Sequence, residues 1–293
     1  MTRWERRPTA AELGLEVTIG IVARSVPDSY FVAVADQMLS YADIFPATEE
    51  AARKIIKIAD EWHVLFAGDS AAFKSVILKV IPRLRAERDD VDNLGAEAVK
   101  RVCTKAYAEA FAEEFASRHL IQLGYGSVAE FRREGASELG SVYQEYIEKL
   151  AKFDLGVELA VFGYDARVPW IFDVVNPGRT LDAGILGYTV VGSGYHMAMG
   201  SLRNRPLDRG LEDLIYRLLE AKFSAETATG VGKTTTLIAV NPDGISRQMS
   251  SSDIEAVRKI WQAALKSRIP AEAFEAIKHS SVVRVVAEGD GER

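Results

Sequence analysis

Apolar and polar positions along this chain alternate between two periods. From Val17 to Val22 and from Tyr30 to Ala35, β-branched, aromatic and small residues predict two short strands, and the turn-forming run 24–29 between them makes a hairpin. A second pair is predicted at Lys54–Ile58 and His63–Ala67, joined through 59–62. Helical spacing then takes over from Ala71 to Ile81, with Pro82 near the expected end of that helix. Leu94 to about Leu123 is rich in Ala, Glu and Lys, contains no proline and reads as one long amphipathic helix. A charged helical pattern over Ala136–Ala151 follows within an apparent insertion at about 124–153. Strands resume at Val157–Phe162, Trp170–Val175 and Thr189–Val191. The last third gives a short helix at Met197–Leu202 and a helix at Leu211–Lys222. In the latter, Leu211, Leu214, Ile215, Leu218 and Leu219 form one stripe. A strand at Thr234–Val240 and a helix at Ser252–Leu265 complete the pattern.

Strands, two central helices, more strands and then helices again do not fit the regular alternation of a doubly wound sheet. The order predicts an α+β fold, a four-layer α-β-β-α sandwich of two antiparallel sheets. No internal repeat or low-complexity segment is present.

The 293 residues, 48% of them apolar, are enough for one large core. With 36 basic and 42 acidic side chains the net charge is −6, which argues against nucleic acid as a partner. The single cysteine, Cys103, allows no intrachain disulfide and points to a reducing compartment, so the chain reads as cytoplasmic. No apolar run suggests a signal peptide or a membrane span. Cys103 reads as a small buried thiol. His63, His119, His196 and His279 are not spaced to bind a metal together.

Three segments in order, Val17–Val22, Phe66-Ala-Gly-Asp69 and Val191-Gly-Ser-Gly194, lie in strand contexts that resemble proteasome β subunits and the related bacterial HslV peptidase. The resemblance covers roughly Val17–Arg85 and Leu155–Leu265. It implies a threonine-type N-terminal-nucleophile (Ntn) hydrolase, in which one residue supplies both the hydroxyl nucleophile and, through its free α-amine, the base. The nucleophile position falls on Thr18 or Glu16, depending on the length of the first hairpin turn. Only Thr18 could act, and only once residues 1–17 are removed. The resemblance further implies that Asp36 and Lys54 set the charge around the nucleophile and that the Gly68 N–H helps to hold the oxyanion. Phe66 would line the pocket for the side chain before the scissile bond and favour small ones. Ser193 would be the serine of the glycine-flanked turn. Glu226 and Thr229 would buttress the nucleophile, where the family has Asp and Ser. Val17 stands where the family usually has Gly. The expected organisation is a leader at 1–17, a single domain at 18–272 with the insertion at about 124–153, and a tail at 273–293. The implied partners are a peptide or protein substrate and further copies of the chain in a ring or other homo-oligomer, with no cofactor, nucleic acid or membrane.

Two other functional classes compete. One is an unprocessed, catalytically inactive subunit of the same fold with a structural or binding role. The other is a nucleotide-binding protein built on the Gly-Val-Gly-Lys-Thr-Thr run at 230–235. That run lacks the first glycine of a phosphate-binding loop, because Thr227 occupies its position, and it precedes a predicted strand where such a loop precedes a helix.

Overall fold

The period-two segments become strands that pair in the expected antiparallel sense. The computed structural model describes residues 18–25, 29–37, 39–41, 45–48, 53–89, 94–203, 210–228 and 231–265. In chain order the first elements are β1 (Gly20–Arg24), β2 (Phe31–Asp36), β3 (Leu39–Tyr41), β4 (Phe45–Thr48), β5 (Ile55–Lys57), β6 (Trp62–Gly68), α1 (Ser70–Asp89) and α2 (Ala96–Phe115). A π turn and a 3-10 turn then carry α2 on to Leu123. Next come α3 (Val128–Glu138), α4 (Ser141–Lys152), β7 (Val157–Asp165), β8 (Val168–Val175), β9 (Arg179–Asp182), β10 (Tyr188–Val191), α5 (Tyr195–Arg203), α6 (Leu211–Ala225), β11 (Thr235–Val240), β12 (Ser246–Gln248) and α7 (Ser251–Leu265). The chain divides into two compact units, Met1–Ser251 and Ser252–Arg293. The described part of the second is α7, in which Glu255 pairs with Arg258 one turn along.

Among the described residues the strands form two five-stranded antiparallel sheets and a two-stranded ribbon. The first sheet has the order β10-β1-β2-β11-β12, the second β5-β6-β7-β8-β9, and the ribbon is β3-β4. Alternation along β6 separates two cores. Trp62, Val64 and Phe66 pack with Phe73, Val76 and Val80 of α1 and with Val99 and Ala106 of α2. Leu65 and Ala67 point the other way, into a cluster with Val22, Phe31, Ala33 and Ala35 of the first sheet. On the far face of the first sheet, α6 packs against β1 and β2, and α5 against β10. The layer order is therefore α1/α2, second sheet, first sheet, α5/α6, the α+β sandwich that the pattern predicted.

Local departures from the predicted elements have local causes. The helix expected to end near Pro82 continues to Asp89. Pro82 loses the bond to the carbonyl of residue 78 and its ring crowds that carbonyl, but Leu78 is on the exposed face, where the carbonyl can tilt outward to water. The single pattern at Ala136–Ala151 is broken between α3 and α4 at Gly140, whose φ of +54° ends one helix before the next begins. Together with the end of α2, these helices bury a separate small core of Phe115, Leu120, Phe131, Tyr146 and Leu150. The first strand starts at Gly20, because the Thr18 carbonyl and the Ile19 N–H have partners outside the ladder; Val17, where the pattern begins, lies outside the described residues. The leader at 1–17 and the tail at 273–293 lie outside the described residues.

Candidate active site

Register brings the candidate residues to one end of the sandwich. Gly20 is paired with Ala35 and with Val191, so the start of β1 meets the ends of β2 and β10. Thr235 is paired with Asp36, so β11 starts at the same end. In the second sheet Gly68 is paired with Val157 and Ile55 with Leu65, which puts the end of β6 beside the starts of β7 and β5. Thr18, Asp36, Lys54, Gly68 and Ser193 each sit at one of these strand ends, although up to 175 residues separate them in sequence.

Contacts then tie the five together. Lys54 Nζ donates to Asp36 Oδ1 at 2.8 Å, and both side chains are buried, at 2% and 0% exposure for the residues. The same Oδ1 accepts the Ile19 N–H at 3.1 Å, while Oδ2 accepts the Gly232 N–H at 3.2 Å. Asp36 thus bridges the sheets through Lys54 and fixes the residue that follows Thr18. A buried charge that is paired and hydrogen-bonded on both oxygens escapes most of the penalty an isolated one would carry. Gly68 N–H donates to Thr18 Oγ1 at 3.2 Å. Gly68 has φ +102°, and a Cβ there would lie 2.1 Å from the Gly156 carbonyl oxygen, so only glycine can point that N–H as it does.

The turn after β10 holds the other side of Thr18. Its carbonyl oxygen accepts from Gly194 N–H at 3.4 Å and from the Ser193 hydroxyl at 3.5 Å. A Cβ on Gly192 would come within 2.3 Å of that carbonyl, so the turn approaches more closely than any side chain allows. Gly192 N–H in turn donates to Glu158 Oε2 at 2.8 Å. Beside it opens a cavity of about 360 Å³ lined by Glu158, Asp173, Thr189 and Tyr195, among others. Burial pushes the Asp173 carboxyl up to about 7, against the hydrogen bond from Thr189 and with the help of the nearby Glu158 charge.

Of the remaining expected residues, Phe66 and Glu226 are among those described. Phe66 is buried, with its ring stacked on Phe73 of α1 at a centroid distance of 3.6 Å, on the helical side of the second sheet. Glu226 caps the end of α6, where its carboxylate pairs with Lys222. Thr229 lies outside the described residues. Glu16 does so too.

Sequence reasoning missed Lys222 and Gly232. Lys222 is fully buried and falls four residues after Leu218, on the same stripe as Leu211, Leu214, Ile215 and Leu219, so a lysine on that otherwise apolar face is the signal. The Gly-Val-Gly-Lys-Thr-Thr run leads into β11, with no helix after it. Its Gly232 N–H is committed to Asp36 and its Gly232 and Lys233 carbonyls to Lys222. That use of the backbone differs from a phosphate cradle, which needs free N–H groups at a helix start. Among the described residues no group of three His, Cys, Asp or Glu side chains could hold a metal, and no helix is long and apolar enough to cross a membrane.

No protein-family model matches the chain, and no curated protein matches it in sequence. A solved structure that does match is the Gly-1 mutant of Anbu from Hyphomicrobium sp. strain MC1. The similarity covers 86% of this chain and 98% of that one, with 16% identity and a TM-score of 0.59. The likeness carries the fold, the two-sheet α-β-β-α sandwich, and at that identity it carries the fold alone.

Proposed function

We propose that the chain is a proteasome-like threonine peptidase or amidohydrolase whose nucleophile is Thr18, exposed as a new amino terminus by cleavage after Val17. The observation that carries this reading is the Gly68 N–H directed at Thr18 Oγ1 at 3.2 Å, beside the buried Asp36–Lys54 pair. In the reaction the freed α-amine takes the hydroxyl proton as Oγ1 attacks a substrate carbonyl carbon. The Gly68 N–H then serves the oxyanion, a contact worth about 10²–10³ in rate in comparable sites. Collapse expels the amine, which leaves with the proton, and water hydrolyses the Thr18 ester. Lys54 supplies positive charge close to the strand ends, and Asp36 holds it there while fixing Ile19 and hence the direction of Thr18. Ser193 and Gly194 steady the Thr18 carbonyl.

Peptide or protein substrates, a cytoplasmic location and assembly of identical subunits into a ring or other homo-oligomer belong to the same proposal. The substrates and the assembly rest on the sequence resemblance, and the location on the single cysteine. A non-catalytic subunit of this fold is the second reading, and it draws on the 1% exposure of Thr18, whose hydroxyl is already engaged. The intact mass of purified protein separates the two. A chain starting at Thr18 is expected for the peptidase. A mass that retains Val17 favours the structural subunit.

A further inference from the structure

We infer that Lys222 is a positioning residue for the Thr18 site, acting through the backbone of Gly232 on Asp36. This rests on Thr18 being the reacting residue.

Lys222 is fully buried in the last turn of α6. Its ammonium pairs with Glu226 and donates to the carbonyl oxygens of Gly232 at 2.8 Å and Lys233 at 3.0 Å. A lysine is costly to bury, and an apolar side chain of similar volume would pack at this point without that cost. What the lysine adds is direction. Holding two consecutive carbonyls fixes how the chain returning from α6 enters β11, whose first residue, Thr235, lies opposite Asp36. With those carbonyls turned toward Lys222, the Gly232 N–H is left to donate to Asp36 Oδ2 at 3.2 Å. Asp36 Oδ1, the other oxygen of the same carboxylate, carries Lys54 and the Ile19 N–H. A continuous path therefore runs from Lys222 through Gly232 and Asp36 to the residue next to Thr18. The position at the C-terminal end of α6 also suits a cation, because unpaired helix carbonyls gather there.

The test is amide exchange measured residue by residue by NMR in Lys222→Met, whose side chain has similar length and no charge. The inference predicts that the Gly232 and Ile19 amides both lose at least about tenfold of their protection, while amides in the middle of β2 keep theirs. A lysine that merely pins the loop would loosen Gly232 and leave Ile19 unchanged, and that result overturns the inference, as does no change at either amide. Neither readout needs activity, so an inert Thr18 would remove the peptidase reading and leave this outcome legible. Should Lys222→Met not fold, the unmodified protein decides. A slowly exchanging Lys222 ammonium signal with cross-peaks to Gly232 supports the inference, and an ammonium exchanging as freely as a solvated lysine overturns it.

Discussion

Gly68 and Thr18 meet across the two sheets of the sandwich, the N–H of one donating to the hydroxyl of the other at 3.2 Å although fifty residues separate them. Neither sheet alone could make this contact. Gly68 closes β6 in the second sheet, and Thr18 lies two residues before the start of β1 in the first. The stacking of the sheets is thus what aims a backbone donor at the candidate nucleophile.

Gly68→Ala is expected to cost more than backbone strain. A non-glycine residue at such a positive φ costs about 1–3 kcal/mol, and the added Cβ would also meet the Gly156 carbonyl at 2.1 Å. Gly124→Ala is the control, since its φ is +91° with nothing within 4 Å of the new carbon. Urea unfolding should show a clearly larger loss for Gly68→Ala, and any reaction at Thr18 should disappear in that variant alone.

Removing one partner of the Asp36–Lys54 pair strands the other charge in a buried site. Lys54→Met should destabilise the fold by about 3–5 kcal/mol, whereas the double variant Asp36→Asn/Lys54→Met should recover part of that loss. Denaturant midpoints of the two variants measure the difference. Lys54→Met should also slow reaction at Thr18 by about 10²-fold or more if the buried charge assists it.

Two desolvated groups, the half-buried Asp173 and the buried His63, give the stability opposite slopes with pH. The Asp173 carboxyl is raised to about 7 from 3.8, so the folded chain holds a proton there that the unfolded chain has released. Its contribution therefore falls by about 1.4 kcal/mol for each pH unit as pH rises through that interval. His63 is lowered from 6.5 to about 4, chiefly by burial and then by the charge of Lys57, so the unfolded chain binds the extra proton. Stability is lost as pH falls through that interval. Thermal melts of Asp173→Asn should gain on the parent at pH 8 and gain little at pH 4. His63→Phe, which keeps the stacking on Phe162, should gain on the parent at pH 4.5 and gain little at pH 8.

Much of this arrangement was legible in the residues themselves. The β-branched, aromatic and small runs at Tyr30–Ala35 and His63–Ala67, the helical stripe at Leu211–Lys222 and the order of elements together specify the layers. Asp36, Lys54, Gly68 and Ser193 could be picked out only through the resemblance to proteasome β subunits, whose motif positions fall on them; taken singly, each reads as an ordinary turn or surface residue. The β3–β4 ribbon, β9 and β12 are absent from the predicted elements; β9 and β12 are exposed at every position, so no apolar run marks them as strands. Lys222 escaped for a different reason. Periodicity marks which face of a helix is buried but not what a lysine on that face will hold, and its acceptors are carbonyls ten and eleven residues away.

Peptide mapping after treatment with a peptide β-lactone, which acylates a reactive hydroxyl, tests the central claim most directly. The account predicts one adduct per chain, carried on Thr18 as the first residue of the processed protein and lost in Thr18→Ala. A chain that still contains Val17 and carries no adduct, or an adduct that survives in Thr18→Ala, would contradict it.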